Sequence, residues 1–134
     1  MASDDLHYLT GLEAGRRVRE GELSSVELTE AMVARIEKVD AALHSYATVL
    51  PESAMAEAAE ADAALAKGEN RGPLHGVPLA VKDLIAMKGV RTSAGMPILK
   101  DRITDHDATV VTRLRAAGAV ILGKLELTEG AYAS

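Results

Sequence analysis

Residues 119–123, AVILG, contain no polar side chain. A strand that covers one face and wets the other alternates apolar with polar residues. This one does not, so it must be covered on both faces, as in a parallel or centrally placed strand flanked by helices. The run AAGAVILG around it is far too short to span a bilayer. The segment before it, DHDATVVTRLRAAG, reads as a helix with Asp107 as its N-cap, Gly118 just past its end, and Val110, Val111, Leu114 and Ala117 on the buried side. A helix leading into a doubly buried strand is the unit of an α/β fold.

The rest of the chain fits that unit. Thr10 with Glu13 forms a capping-box pattern before a helix over residues 11–20, and Ser24 with Glu27 forms another. After the second, Leu28, Met32, Ile36 and Val39 share one helical face. LHSYATVLPE reads as a strand, and ESAMAEAAEADAALAKG as a charged surface helix ending at Gly68. Val77, Leu79 and Val81 alternate along a further strand, and a turn-rich stretch, KGVRTSAGMP, follows it. LTEGAYAS opens a last element of helical character. The order is two helices, then strand, helix, strand, helix, strand, with parallel neighbours expected. Residues 1–134 are expected to belong to a single domain. So few elements are expected to leave one apolar face of AVILG open, for self-association or for another chain to cover.

Composition narrows the function. The net charge of −5 and the lack of a basic stripe interleaved with aromatics argue against a nucleic-acid surface. Without cysteine there is no disulfide framework, no thiol nucleophile and no thiolate metal site. The acidic start MASDDLHYLT lacks the apolar run of a signal peptide, which makes a soluble cytoplasmic protein the default expectation. No membrane partner is implied. Aromatics amount to 2%, with no Phe or Trp, so the core is built from Leu, Val, Ile, Met and Ala.

Two patterns resemble sites and are set aside. Gly118-AVIL-Gly123-Lys124 has the spacing of most of a phosphate loop. Its four inner residues are the apolar strand itself, its helix comes before rather than after, and Leu125 stands where a hydroxyl is required. His106 between Asp105 and Asp107 has metal-ligand types, but acids at a helix start are better explained by the macrodipole.

Lys82 is harder to dismiss. In GVPLAVKDLIAMKG it ends an apolar strand and precedes Asp83, Leu84 and Ile85. A lysine walled by apolar side chains must pair or surrender its proton. Three roles stay open: a snorkelling or Asp83-paired structural lysine, a neutral amine that accepts protons near pH 7, or a Schiff-base lysine. Asp83 is expected to point the opposite way from Lys82, in a structural role.

GPLHGVPLAVKD, then RTSAGMPILKD, then DHDATVVTRLRAAGAVILGK, resemble the N-terminal third of the amidase signature family, and GELSSVELTEAMVARIEKVD is similar to its N-terminal region. The blocks stand in the family's order and cover nearly the whole chain. The resemblance implies a mixed α/β fold, with N-terminal helices followed by alternating strands and helices that form part of the family's mixed sheet. It also implies hydrolysis of a carboxylic amide by a Ser–cis-Ser–Lys triad, with Lys82 at the position of the catalytic lysine and with no metal or organic cofactor. Family substrates include small aliphatic and aryl amides, fatty amides, and glutamine in tRNA-dependent amidotransferases.

Both serines of that triad belong to a Gly/Ser-rich block with no counterpart here. Ser24 and Ser25 start a helix, and Ser93 belongs to the turn-rich stretch. The resemblance therefore implies an N-terminal fragment, inactive alone. Its partners would be a small amide substrate and the rest of an amidase chain or a second copy. A non-catalytic interaction module is the rival expectation.

Overall fold

A computed structural model describes residues 3–132, with side chains described from Leu6 onward. A 3₁₀ turn over Ser3–Tyr8 leads into α1 (Gly11–Arg19), α2 (Ser25–Leu43), β1 (Tyr46–Val49), α3 (Pro51–Ala66), β2 (Pro78–Lys82), α4 (Thr109–Ala116) and β3 (Val120–Leu125). The expected order of elements is present. The final helical expectation reduces to a 3₁₀ turn over Glu129–Ala131, and Ala133 and Ser134 lie outside the described residues. No helix among the described residues is long and apolar enough to cross a membrane.

The three strands form one mixed sheet in the order β1-β3-β2. β3 runs parallel to β2 and antiparallel to β1. Parallel neighbours are thus found on one side of the central strand only. Both ladders slip by a residue near Gly123, which pairs with Val49 on one side and Ala80 on the other. An ideal Cβ at Gly123 would lie 2.2 Å from the Thr48 carbonyl oxygen, so only glycine lets β1 come this close.

β3 is buried on both faces by this chain's own elements, contrary to the expectation of an open face. Val120 and Leu122 pack with Ile36, Ala54 and Ala58 from α2 and α3. Ile121 packs on the other side with Val81, Met87 and Val111. The 83–108 excursion and α4 supply the cover that a simple count of helices misses. α3 is not a surface helix either. Ala54, Ala58, Ala61 and Ala64 are buried, and their small side chains let the helix lie close to α2 and β3.

The helix ends follow their predicted chemistry in part. Ser24 and Glu27 make the reciprocal capping box of α2. Thr10 caps α1 by accepting from the Glu13 N–H, while the Glu13 carboxylate turns to Arg16 and Arg17. α2 carries a second, tertiary cap: Asp62 of α3 accepts from the N–H groups of Ser25 and Val26 at 2.7 and 3.0 Å. Asp107 does not cap α4. Ala108 holds that position, because the Asp107 carboxylate accepts from the Lys88 N–H at 2.7 Å and from Arg115 at 2.6 Å. Val110, expected on the buried face of α4, is exposed, and Val111 fills the core.

Candidate active site

In parallel sheets, ligands meet the chain beyond the carboxyl ends of the strands. β2 and β3 both end there, with Lys82 paired to Leu125. Alternation along β2 puts Val81 into the core and Lys82 outward. Lys82 is exposed rather than walled in. The chain turns immediately after it, with the Ile85 N–H donating to the Lys82 carbonyl at 2.9 Å. Leu84, expected as one of its apolar neighbours, is itself 46% exposed. The Lys82 Nζ donates to the Glu126 carbonyl oxygen at 3.2 Å.

The buried charge belongs to the next residues over. Asp83 is 1% exposed and points inward, opposite to Lys82 as expected. Its Oδ2 accepts from the Ser93 N–H at 2.9 Å and from the Ser93 hydroxyl at 2.5 Å. Its Oδ1 lies 3.3 Å from the ammonium of Lys124, whose side chain is wholly buried. Lys124 also donates to the Thr92 hydroxyl at 2.9 Å and to the Arg91 carbonyl at 3.3 Å. Burial pushes the Lys124 pKa below the ordinary lysine value, and the neighbouring Asp83 charge only partly restores it.

Sequence reasoning misses Lys124 as a site residue, because the glycine spacing around it presents it only as the lysine of a phosphate loop. A signal is present all the same: a charge directly following a fully apolar strand needs a partner, and Asp83 follows the parallel strand's last residue.

The 91–96 stretch is brought to the same place. The Ala94 N–H donates to the Asp83 carbonyl at 3.2 Å, and the Gly130 N–H to the Ala94 carbonyl at 2.8 Å. Ala94 and Gly95 both have positive φ. A Cβ at Gly95 would meet the Leu127 carbonyl oxygen at 2.8 Å, so the loop lies flat against the segment that follows β3. Lys82, the 91–96 loop and residues 126–130 therefore share one end of the sheet.

The histidines take no part. His75 is buried, with Nδ1 accepting from the Arg71 N–H, so its Nε2 carries the proton and donates to the Ala61 carbonyl. His106 faces Asp105, while Asp107 is turned to Arg115. Among the described residues no group of three or more metal-ligating side chains converges. A hollow of about 750 Å³ bounded by Leu6, Arg17, Leu23 and Arg35 lies against α1 and α2, away from Lys82. Its lining includes Glu22, Glu27, Glu30 and Lys38, and neither of the buried charged side chains, Asp83 and Lys124, belongs to it.

The sequence matches the model of the Amidase family over residues 27–134. It is 50% identical over 129 residues to the putative amidase AmiD of Mycobacterium tuberculosis, covering 96% of this chain and 27% of that protein. It is also 50% identical over 129 residues to a subunit of the glutamyl-tRNA(Gln) amidotransferase of Methylococcus capsulatus, covering 96% and 26%. Among solved structures, the native peptide amidase of Stenotrophomonas maltophilia superimposes with a TM-score of 0.82 at 42% identity, over 89% of this chain and 25% of that one. The chain thus spans about a quarter of the length of the relatives it matches, and its mixed α/β architecture is that of amidase signature enzymes.

Proposed function

Because the chain belongs to the amidase family, we propose that it is the N-terminal, lysine-bearing segment of a serine-dependent amide hydrolase, with Lys82 as the base. The observation that carries this reading is the division of labour between two lysines. The nearest carboxylate in sequence, Asp83, is committed to Lys124 and Ser93. Lys82 makes no ion pair among the described residues, and its ammonium rests on a neutral carbonyl. A lysine held by a carboxylate stays protonated. One held by a carbonyl can lose its proton once apolar surface covers it.

In this reading the cover and both serines come from a later part of a longer chain. Neutral Lys82 takes a proton from the serine nearest it, and that serine takes the proton of the nucleophile. The nucleophilic Oγ attacks the amide carbonyl, the C–N bond breaks as the amine leaves with a proton returned through the same relay, and water releases the acid from the acyl-enzyme. The substrate is a linear carboxylic amide.

The deciding experiment compares Lys82→Ala with Lys82→Arg in the longer protein that carries this segment. Arginine keeps the charge but cannot accept a proton. Both variants should lose roughly three orders of magnitude or more in kcat/KM, about 4 kcal/mol of transition-state stabilisation. An arginine variant within about tenfold of the unmodified protein would remove Lys82 from the chemistry.

A further inference from the structure

We propose that Lys124 is a positioning residue for Lys82, acting through Asp83 and the 91–96 loop. The proposal rests on the assignment of Lys82 as base. Lys124 lies in the neighbouring strand opposite Val81, one residue before the partner of Lys82. Its ammonium donates to Thr92 Oγ1 at 2.9 Å and to the Arg91 carbonyl at 3.3 Å, and lies 3.3 Å from Asp83 Oδ1 as an ion pair. The side chain has no exposure with which to meet a substrate.

What the ammonium holds is the residue next to Lys82. Asp83 is fastened at four points besides Lys124. Its N–H donates to the Leu125 carbonyl at 2.9 Å and its carbonyl accepts from Ala94 at 3.2 Å. Its Oδ2 accepts both the N–H and the hydroxyl of Ser93. The Lys82–Asp83 peptide, the end of β3 and the 91–96 loop are thereby locked to one another.

Stability is a poor reason for such a pair, since buried ions are frequently replaced by apolar residues without loss. Directional locking is a better one. Among the described residues the Lys82 side chain makes a single hydrogen bond of its own, so its placement depends on the backbone beneath it. A base displaced by about 1 Å loses catalysis out of proportion to the energy of the contact that moved.

The test uses the longer protein and the double variant Asp83→Asn/Lys124→Met, which removes both charges while keeping side-chain size and leaving an amide oxygen for Ser93. kcat should fall about ten- to a hundredfold while KM stays within about threefold. Ser93→Ala, which removes the hydroxyl's bond to Asp83 and the one it accepts from the Gly95 N–H but no charge, should lower kcat by about threefold or more. It decides the matter if the double variant does not fold. A folded double variant with kcat within about twofold of the unmodified protein, or a loss confined to KM, overturns the positioning role. Lys82→Ala runs in parallel. If it is inactive while the double variant is unimpaired, only the Lys124 proposal fails. If Lys82→Ala is itself active, the assignment of the base fails and this proposal with it.

Discussion

Lys124 and Asp83 meet at 3.3 Å with side-chain exposures of 0% and 1%, in a site formed by residues from two parallel strand ends and one loop. Two opposite charges hidden this completely make each other necessary. Lys124→Met leaves a buried carboxylate without its cation and should destabilise the chain by about 3–5 kcal/mol. The double variant Asp83→Asn/Lys124→Met strands no charge and should cost less than half of that. Urea unfolding of both variants measures the difference. A single variant no less stable than the double one contradicts the pairing.

The same lysine gives stability a pH signature. Burial lowers its folded pKa below the ordinary 10.5, despite the opposing pull of Asp83. The unfolded chain then holds more protons than the folded one in the window just below 10.5. Stability contributed by this site must therefore rise with pH there, by no more than about 1.4 kcal/mol per unit. Measured against the Asp83→Asn/Lys124→Met variant, so that other groups cancel, the difference in unfolding free energy should grow in favour of the unmodified chain as the pH rises toward 10.5. A flat or falling difference counts against a depressed lysine.

Gly123→Ala should break the join between β1 and β3. The added methyl would stand 2.2 Å from the Thr48 carbonyl oxygen, a backbone atom that cannot rotate aside. The expected cost is at least about 2 kcal/mol. Hydrogen exchange locates it: the Leu50 N–H, which donates to the Leu122 carbonyl at 2.8 Å, should lose protection before the amides of β2 do.

The chain by itself should not turn over amides. Lys82 is exposed and hydrogen-bonded to a carbonyl. The nearby Ser93 hydroxyl is spent on the buried Asp83 carboxylate, which Lys124 in turn holds. Ammonia release from a simple primary amide should match a protein-free control. Release that exceeds it and disappears in Lys82→Ala would refute this.

What the sequence made legible was local. Thr10, Ser24 with Glu27, and Gly118 mark helix ends because caps act within a few residues, and the order of elements follows from them. The position of Lys82 at the end of a strand was legible for the same reason. Its surroundings were not. Leu84 and Ile85 are neighbours in sequence but not its walls, since the chain turns at Asp83 and Leu84 swings to the surface. The residues that the sequence concealed act across long separations: Asp62 capping α2 from α3, Glu57 accepting from the Ile121 N–H, and Lys124 reaching Thr92. The alanines of α3 misled in another way. Small side chains between charges look solvated until the helix they touch is known.

The strand order β1-β3-β2 sets a schedule for the growing polypeptide. β1 and β2 have no hydrogen bonds to each other, and each finds its partner only in β3, the last of the three to leave the ribosome. Of the apolar clusters, the one joining Leu6, Ala14, Val18 and Leu28 includes no residue of β3, whereas those centred on Val120 with Leu122 and on Ile121 both require it. During synthesis the first two helices can therefore settle early, while two strand edges wait unpaired for residues 120–125. A nascent chain stalled before Val120 would carry those open edges into contact with other chains, the condition under which aggregation competes with folding.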